Sequence, residues 1–165
     1  MILVTVGSQL PFDRLVAPVA AWARARGVRD IFFQHGGGTV DLSSFDAADF
    51  VPPDEAARLF DRARIVVAHV GMGTILGCLE RGKPIVVLPR TAALGETRND
   101  HQVACAKRFE GRPGIFVAWD ADSIAALLDR AETLASAERI DTHAQPELLA
   151  TVRAFVHGRD PGKRA

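Results

Sequence analysis

The stretch that decides the fold is Ile65-Val66-Val67-Ala68-His69-Val70-Gly71-Met72-Gly73-Thr74. Its first four residues are apolar and mostly β-branched, which is typical of a strand that is buried on both faces of a parallel sheet. The two glycines that follow predict a tight turn, and a helical pattern begins at Thr74 and continues to about residue 81. A buried strand that turns directly into a helix is half of a βαβ unit, so the chain is predicted to be an α/β protein.

The same alternation of strand and helix patterns extends along the rest of the chain. Strands are predicted at residues 2–6, 31–34, 65–68, 85–88 and 115–118, with a weak strand near 49–51. Helices are predicted from about Phe12, with a kink at Pro18, from the Pro52-Pro53 pair, from Thr74, over 99–109, around 124–131 and after Pro146. This alternation predicts a Rossmann-like parallel sheet flanked by helices.

Length and composition favour a single compact domain. The chain has 165 residues, of which 48% are hydrophobic and 24% are charged, and this balance suits a sizeable core. The domain is expected to span residues 1–157, and the tail at 158–165, rich in Lys, Arg, Gly and Pro, is expected to be disordered. Lys and Arg total 20, as do Asp and Glu, so no global field favours nucleic acid or an anionic membrane.

The cysteines and the hydropathy indicate a compartment. Cys78 and Cys105 are the only cysteines and lack the spacing of a metal site, which favours a reducing, cytoplasmic location. The first residues lack the basic segment of a signal peptide, and no apolar run approaches the ~18 residues of a transmembrane helix. The chain is therefore expected not to span a membrane.

Three polar clusters follow predicted strands at the points where the strands end. Gly7-Ser8-Gln9 follows the first strand, the 69–74 turn follows the strand at 65–68, and Arg90 with the loop 95–98 follows the strand at 85–88. In an open parallel sheet, ligands bind outside the carboxyl ends of the strands. These clusters are therefore the candidate binding site.

The 69–74 turn has the chemistry of an anion site. Gly71 and Gly73 allow a ligand to approach the backbone closely, and the free N–H groups at the start of the following helix attract an anion such as a diphosphate. The alternative is a glycine-rich turn that needs glycine only for positive φ angles. His69 alone is equally compatible with a hydrogen-bonded structural residue.

Four polar residues stand together at the start of a later helix, Asn99-Asp100-His101-Gln102. Helix capping explains one of them, Asn99 or Asp100, but not all four. The side chains of Asp100, His101 and Gln102 offer acceptors and donors for the hydroxyl groups of a sugar. A carbohydrate contact is the favoured interpretation.

Three familiar motifs fail on their context. The stretch 77–84 resembles a Walker A loop but has Pro84 in place of the hydroxyl that binds Mg²⁺, and it ends a helix instead of following a strand. The stretch 35–38 resembles an esterase oxyanion loop, yet no GxSxG motif is present and Met72 stands where the nucleophile belongs. Asp120-Ala121-Asp122 resembles a metal-binding DxD motif, but it directly precedes a predicted helix, which favours N-capping.

Taken together, these stretches resemble the glycosyltransferase family 28 C-terminal domain, in its short single-domain branch. That branch contains the soluble subunit of the dolichol-linked N-acetylglucosaminyltransferase and PssE-like exopolysaccharide subunits. The matching stretches are residues 2–15, 68–76, 82–90 and 95–102. Their shared order and spacing are more specific than any one of them.

The resemblance implies the C-terminal, donor-binding half of a GT-B glycosyltransferase. Such a domain binds a UDP-sugar and transfers the sugar with inversion, with no metal or other cofactor expected. The length agrees, because a complete GT-B enzyme needs two such domains and this chain supplies one. The resemblance also implies a membrane-anchored, acceptor-binding partner subunit that carries the catalytic base and recruits this chain to the inner face of the membrane. The expected acceptor is a lipid-linked glycan in polysaccharide biosynthesis.

The resemblance and the strand-end positions together assign roles to individual residues. Those assigned to the donor diphosphate are Gly7, Ser8, Gln9, His69, Gly71, Met72, Gly73, Thr74 and Arg90. Those assigned to the donor sugar are Glu96, Asn99, Asp100, His101 and Gln102. The backbone of Phe50 and Val51 is assigned to uracil, and no catalytic base is assigned to this chain. One position departs from the pattern, because many relatives carry a ribose-binding Glu where this chain has Gly77, and Glu80 lies about a turn later.

Two alternatives remain open at this stage. The first is a non-catalytic nucleotide-binding or scaffolding subunit that stabilises a partner glycosyltransferase, and Gly77 is the residue that favours it. The second is a homodimeric hydrolase or epimerase that acts on nucleotide sugars and predicts activity without a partner. The split transferase predicts that this chain alone is inactive or nearly so.

Overall fold

The computed structural model describes residues 1–137, 139–140 and 146–156, and its centre is a six-stranded sheet. The strands are β1 (Ile2–Thr5), β2 (Ile31–Gln34), β3 (Asp46–Ala48), β4 (Ile65–His69), β5 (Ile85–Leu88) and β6 (Ile115–Val117). Every pairing is parallel, and the order across the sheet is β3-β2-β1-β4-β5-β6. Since the chain returns from the β3 edge to place β4 beside β1, the strand order reverses there and leaves a crevice at the carboxyl ends.

Helices cover both faces of this sheet. They are α1 (Asp13–Arg26), α2 (Pro53–Arg62), α3 (Met72–Glu80), α4 (His101–Phe109), α5 (Ala121–Asp129) and α6 (Pro146–Val156). Helices α1 and α5 pack on one face, and α2, α3 and α4 pack on the other. The predicted Rossmann-like α/β fold is confirmed.

The strands alternate their side chains between two cores. In β1, Ile2 and Val4 face the α1 side and Leu3 faces the α3 side. All four residues of β5 are fully buried, because both faces of a parallel sheet lie under helices. Residues 65–68 of β4 are buried on both faces in the same way, which explains why this apolar run predicts a strand so clearly.

Several boundaries differ from the predicted ones. The weak strand predicted near 49–51 is wrong, and the edge strand β3 lies at Asp46–Ala48. It is short and mostly exposed, so its sequence lacks an apolar pattern, and its pairing with β2 defines it. Helix α3 begins at Met72 and not at Thr74, and α4 begins at His101 and not at Asn99.

Three findings complete the description of the fold. None of the helices within the described ranges has the length and apolar content needed to cross a bilayer. The tail predicted at 158–165 lies outside the described residues. The Asp120 side chain accepts a hydrogen bond from the Ser123 N–H at 2.7 Å in a capping box, which confirms the capping interpretation of that motif.

Candidate functional site

A cleft of about 410 Å³ lies at the carboxyl edge of the sheet. Its walls are the loop after β1, the turn between β4 and α3, and the connection from β5 to α4. The lining residues are 6–10, 69–74, Arg90, 96–97, 101–102 and Cys105. The three polar clusters that the sequence placed at strand ends therefore share one cleft, as the polarity of a parallel sheet requires.

The start of α3 presents unpaired amides to this cleft. Gly71 is the N-cap residue, and it makes no side-chain capping bond. The N–H groups of Met72, Gly73 and Thr74 belong to the first helical turn, where no carbonyl lies four residues back within the helix to accept them. These amides and the positive end of the helix dipole make a site suited to an anionic group.

Two glycines leave room for the ring of His69. A Cβ atom at Gly71 would lie 2.3 Å from His69 Nε2, and one at Gly7 would lie 2.6 Å from His69 Cε1. Gly71 has a φ of −100°, and Gly73 does not have a positive φ either. The alternative that this turn needs glycine for positive φ is therefore wrong. The lack of a side chain at Gly71 leaves room for the His69 ring. At Gly73, by contrast, a Cβ atom would meet no atom within 4 Å.

His69 is a neutral side chain at physiological pH. Burial, together with the charge of Arg90, lowers its pKa to about 4, although a backbone hydrogen bond with Thr5 acts in the opposite direction. A neutral imidazole cannot neutralise a phosphate charge. His69 is therefore left with hydrogen bonding and packing as its contributions to an anion site.

The Arg90 guanidinium is directed largely towards the protein. It is 5% exposed and donates to the carbonyl oxygens of Val6 at 3.1 Å, Leu10 at 2.7 Å and Pro11 at 2.8 Å. It also lies 4.4 Å from the ring centroid of Phe12. The sequence assigned Arg90 to the diphosphate, and the structure shows that its main contacts fix the loop after β1. Its positive charge nevertheless lies in the wall of the cleft.

Gln102 joins the ends of two strands. Its side chain is 6% exposed, and its Oε1 accepts hydrogen bonds from the N–H groups of Val70 and Arg90, both at 3.2 Å. These amides follow β4 and β5 directly. The acceptor that the sequence assigned to a sugar hydroxyl is therefore occupied, and the Nε2 amide group is what Gln102 can offer to the cleft.

Glu96 is engaged at both carboxylate oxygens. Its Oε1 accepts from Arg14 Nε at 2.7 Å, and its Oε2 accepts from Arg14 Nη2 at 2.8 Å and from the Thr91 N–H at 2.9 Å. Burial by itself would raise the pKa of Glu96, but these hydrogen bonds and the charges of Arg14 and Arg90 lower it below its ordinary value. Glu96 lines the cleft as an anion paired within the protein.

The four polar residues at the start of α4 divide into two pairs. His101 and Gln102 line the cleft, whereas Asn99 and Asp100 are absent from its lining. Asp100 Oδ1 accepts from the Ala92 N–H at 2.8 Å, and Asn99 Oδ1 accepts from the His101 N–H at 3.2 Å. Asp100 Oδ1 thus holds the preceding loop and Asn99 Oδ1 bonds within the start of α4, and the assignment of both residues to the sugar stays a prediction. Asp100 occupies the N-cap position of α4 without a side-chain capping bond.

A smaller, mainly apolar pocket of about 140 Å³ adjoins the cleft. Gly7 and Ser8 line both spaces. Phe50 and Val51, the residues assigned to uracil, line the smaller pocket. The polar cleft and the apolar pocket therefore meet at the end of β1, an arrangement that suits an anionic group linked to a flat ring.

Known proteins resemble this chain in sequence. The model of the glycosyltransferase family 28 C-terminal domain matches residues 1–114. The chain belongs to this family. Among its relatives, UDP-N-acetylglucosamine transferase subunit ALG13 of Yarrowia lipolytica is 26% identical over 141 residues, which are 75% of this chain and 67% of that protein. The Homo sapiens protein of the same name is 30% identical over 125 residues, which are 70% of this chain and 11% of that protein.

Solved structures agree on the fold. An NMR solution structure of ALG13 has a TM-score of 0.56 at 18% identity, with 92% of this chain and 93% of that chain covered. A glycosyltransferase of kitacinnamycin has a TM-score of 0.61 at 20% identity, with 96% of this chain but 39% of that chain covered. These matches confirm the predicted Rossmann-like α/β fold, and the chain spans 39% of the longer enzyme.

Gly77 stands where the family resemblance implies a ribose-binding glutamate in many relatives. A Cβ atom there would lie 3.8 Å from Arg81 Nη1 and 3.9 Å from Phe60 Cε1, and Phe60 lines the smaller pocket. Glu80 lines neither space. A side chain at position 77 would therefore begin in ordinary contact with Arg81 and Phe60, and Glu80 does not bring a carboxylate to either space.

Two residues that bear on the cleft of this family 28 domain, Cys105 and Arg14, were not assigned from the sequence, and of the two only Cys105 lines the cleft. Cys105 lines the cleft one helical turn after His101, a position that its spacing from His101 already indicates once α4 is placed. Arg14, the partner of Glu96, gave no signal because the two residues are 82 positions apart. Binding roles for all the lining residues remain predictions, and the structure supplies their arrangement.

Proposed function

We propose that this chain is the donor-binding subunit of a split, inverting glycosyltransferase that uses a UDP-sugar. The observation that carries the proposal is the uncapped start of α3, which faces a cleft that shares the lining residues Gly7 and Ser8 with an apolar pocket. The diphosphate would lie at the amides of Met72, Gly73 and Thr74, with uracil in the smaller pocket beside Phe50. Relatives that are named subunits of UDP-N-acetylglucosamine transferase support the same donor class.

The chemistry follows from where negative charge develops during transfer. As the bond to the sugar breaks, charge accumulates on the leaving diphosphate, and preorganised amides stabilise that charge without any reorganisation. The α3 amides, Ser8, and the buried charge of Arg90 surround this position. As the family resemblance implies, the base that deprotonates the acceptor is placed on the partner subunit, and no metal is required.

A partner would cover the open side of the cleft. Two large apolar side chains in the lining of the cleft, Leu10 and Met72, are about half exposed. In the proposal, the partner covers these apolar groups. In the proposal the partner is the membrane-anchored acceptor-binding half, it recruits this chain to the inner face of the membrane, and the acceptor is a lipid-linked glycan.

One observation favours a second candidate function, a nucleotide-binding subunit without a catalytic role. The space beside Gly77 lacks the carboxylate that binds ribose in many relatives, and Glu80 does not line either pocket. Weaker nucleotide binding would leave the domain as a scaffold for its partner. The two candidates differ in whether substitutions in the cleft change the rate of transfer.

A binding panel tests the proposal and separates the parts of the donor. Calorimetry with UDP, several UDP-sugars and a GDP-sugar is expected to show binding of UDP and of one or more UDP-sugars. His101→Ala is expected to weaken the UDP-sugar by about fivefold and UDP itself by less than twofold, because one lost sugar hydrogen bond is worth about 1 kcal/mol. Failure of the wild-type protein to bind UDP and every UDP-sugar would overturn the proposal.

The two cysteines provide an internal control for the location of binding. Cys105 lines the cleft, whereas Cys78 is fully buried and burial raises its pKa to about 12. Because the thiolate is the reactive form, a maleimide is expected to label Cys105 alone, and a bound UDP-sugar is expected to slow this labelling. Labelling at an unchanged rate under saturating donor would place the donor elsewhere.

Transfer assays then distinguish the two candidates. With the partner chain and acceptor present, His101→Ala is expected to lower the rate of transfer at subsaturating donor if this subunit binds the donor. A purely scaffolding subunit predicts wild-type kinetics for this variant. Activity of the isolated chain on a nucleotide sugar would instead favour a self-sufficient hydrolase or epimerase.

A further inference from the structure

One ion pair joins the start of α1 to the β5–α4 connection, which forms one wall of the cleft. Arg14 lies at the start of α1, and its guanidinium contacts the Glu96 carboxylate side-on, with Nε–Oε1 at 2.7 Å and Nη2–Oε2 at 2.8 Å. The side chains are 28% and 14% exposed. A two-point contact of this kind fixes orientation as well as distance.

Arg14 also contacts the backbone of the same loop. Its Nη2 donates to the Pro89 carbonyl at 2.6 Å, and the Glu96 Oε2 that it holds accepts the Thr91 N–H. The guanidinium therefore bonds directly to Pro89 and Glu96, and it holds the Thr91 N–H indirectly, through Glu96. The 89–96 segment carries Arg90 and leads to Thr97, and both of these line the cleft.

The neighbouring Arg90 completes the link from the other direction. Its guanidinium holds the carbonyls of Val6, Leu10 and Pro11, in the loop after β1. Both guanidinium groups lie against the ring of Phe12, at 5.2 Å for Arg14 and 4.4 Å for Arg90. Among these groups Glu96 neutralises one of two positive charges, which leaves a net positive charge at the cleft.

We propose that Arg14 is a positioning residue of the donor site, which acts through Glu96 and the Pro89 carbonyl to hold the 89–97 loop against the loop after β1. The inference rests on the proposed function, in which this cleft binds a UDP-sugar. Arg14 itself does not line the cleft, so its effect on the donor is transmitted by the loop that it holds. Small displacements of such a wall reduce binding because the ligand's contacts must form together.

The chain contains a matched control for this pair. Arg26, at the other end of α1, contacts Asp129 of α5 with the same two-point geometry, at 2.9 Å for Nε–Oδ1 and 2.7 Å for Nη2–Oδ2. Neither residue lines the cleft or the smaller pocket. Disruption of the Arg26–Asp129 pair therefore removes a similar contact without touching the walls of the donor site.

The experiment measures UDP affinity and thermal unfolding for both pairs in the full chain. Arg14→Lys keeps the charge but loses the two-point contact, and Glu96→Gln keeps one acceptor but loses the charge. Each is expected to raise the Kd for UDP by about tenfold, since a misplaced wall weakens several contacts at once. Arg26→Lys and Asp129→Asn are expected to change that Kd by less than about twofold, because exposed pairs contribute little.

The outcomes separate this inference from the proposed function. If wild-type protein binds UDP and the Arg14 and Glu96 variants bind it equally well, the positioning role is wrong while the donor site stands. If wild-type protein does not bind UDP or any UDP-sugar, the proposed function itself fails. A Kd that rises equally for the Arg26 and Asp129 variants would show a general loss of stability and would overturn the positioning role. Should Glu96→Gln fold poorly, Arg14→Lys alone decides the result.

Discussion

The β4–α3 turn and the β5–α4 connection form adjoining walls of one cleft, yet they use their polar groups in opposite ways. In the turn at 69–74, the backbone amides at the start of α3 remain free and face the cleft. In the connection at 89–102, most polar side chains bond to the protein itself. Arg90 donates to a carbonyl of the loop after β1. Glu96 accepts the Thr91 N–H, and Gln102 accepts the Arg90 N–H.

This difference shows why residue type is a weak guide to ligand contacts. A charged or amide side chain at a strand end has the right chemistry for a diphosphate or a sugar, but it also has the right chemistry for unpaired loop amides and carbonyls. Buried backbone groups must find partners, and long irregular loops contain many of them. Helix-start amides lack such competition, because their acceptors would lie outside the helix.

The largest expected effect comes from Gly71→Ala in the turn. The added Cβ would lie 2.3 Å from His69 Nε2, so the buried ring must move, and we expect a loss of about 2–3 kcal/mol in the free energy of unfolding together with loss of UDP binding. Chemical denaturation and calorimetry measure the two effects. A fully stable Gly71→Ala protein would show that the His69 ring is not confined by this turn.

A smaller loss is expected from Gln102→Leu in the connection. Without Oε1, the N–H groups of Val70 and Arg90 lose their acceptor, and an unsatisfied buried donor costs about 2 kcal/mol. Gln102→Glu keeps an acceptor and is expected to recover most of this loss. Equal stability of wild type and Gln102→Leu would contradict the structural role assigned to this side chain.

Acid is expected to weaken the turn before it weakens the connection. The pKa of His69 is about 4 in the folded protein and 6.5 ordinarily, so the unfolded chain binds the additional proton between these values and stability falls as the pH falls. We expect a loss of about 1.5 kcal/mol from pH 7 to pH 5. The pKa of Glu96 is lowered, so its contribution persists until the pH falls below its ordinary value.

The pH dependence is measured by denaturation of wild type and His69→Gln across this range. The variant is expected to show a shallower loss of stability between pH 7 and pH 5. An identical slope in both proteins would mean that another group is responsible, and the assignment of a neutral, buried His69 would then fail.

The smallest expected effect is that of Gly73→Ala. A Cβ atom at this position meets nothing within 4 Å, and alanine favours a helix over glycine, so stability is expected to stay equal or rise slightly. The methyl group would stand in the cleft beside the α3 amides, and we expect UDP to bind about fivefold more weakly, which corresponds to about 1 kcal/mol. Unchanged UDP affinity would remove the diphosphate from this helix start.

Local patterns account for the part of the fold that was predicted correctly. The apolar runs that became β1, β4 and β5 are short and buried on both faces, so each run carries its own strand signal. The edge strand β3 reads Asp-Ala-Ala and is mostly exposed, so its position depends on pairing with β2. The same dependence on distant partners explains why the hydrogen-bond partners of the site residues could not be predicted from the sequence.

The sequence by itself determined the α/β class, the strand-end location of the cleft and the glycine turn that opens α3, because these follow from the spacing of neighbouring residues. The tertiary structure decided which polar groups remain available to a ligand. Arg14 and Glu96 meet across 82 positions, and Arg90 reaches carbonyls about 80 positions away. Hydrogen-bond partners at such separations are set by how the chain packs, so the free helix amides and the occupied side chains could be told apart only in three dimensions.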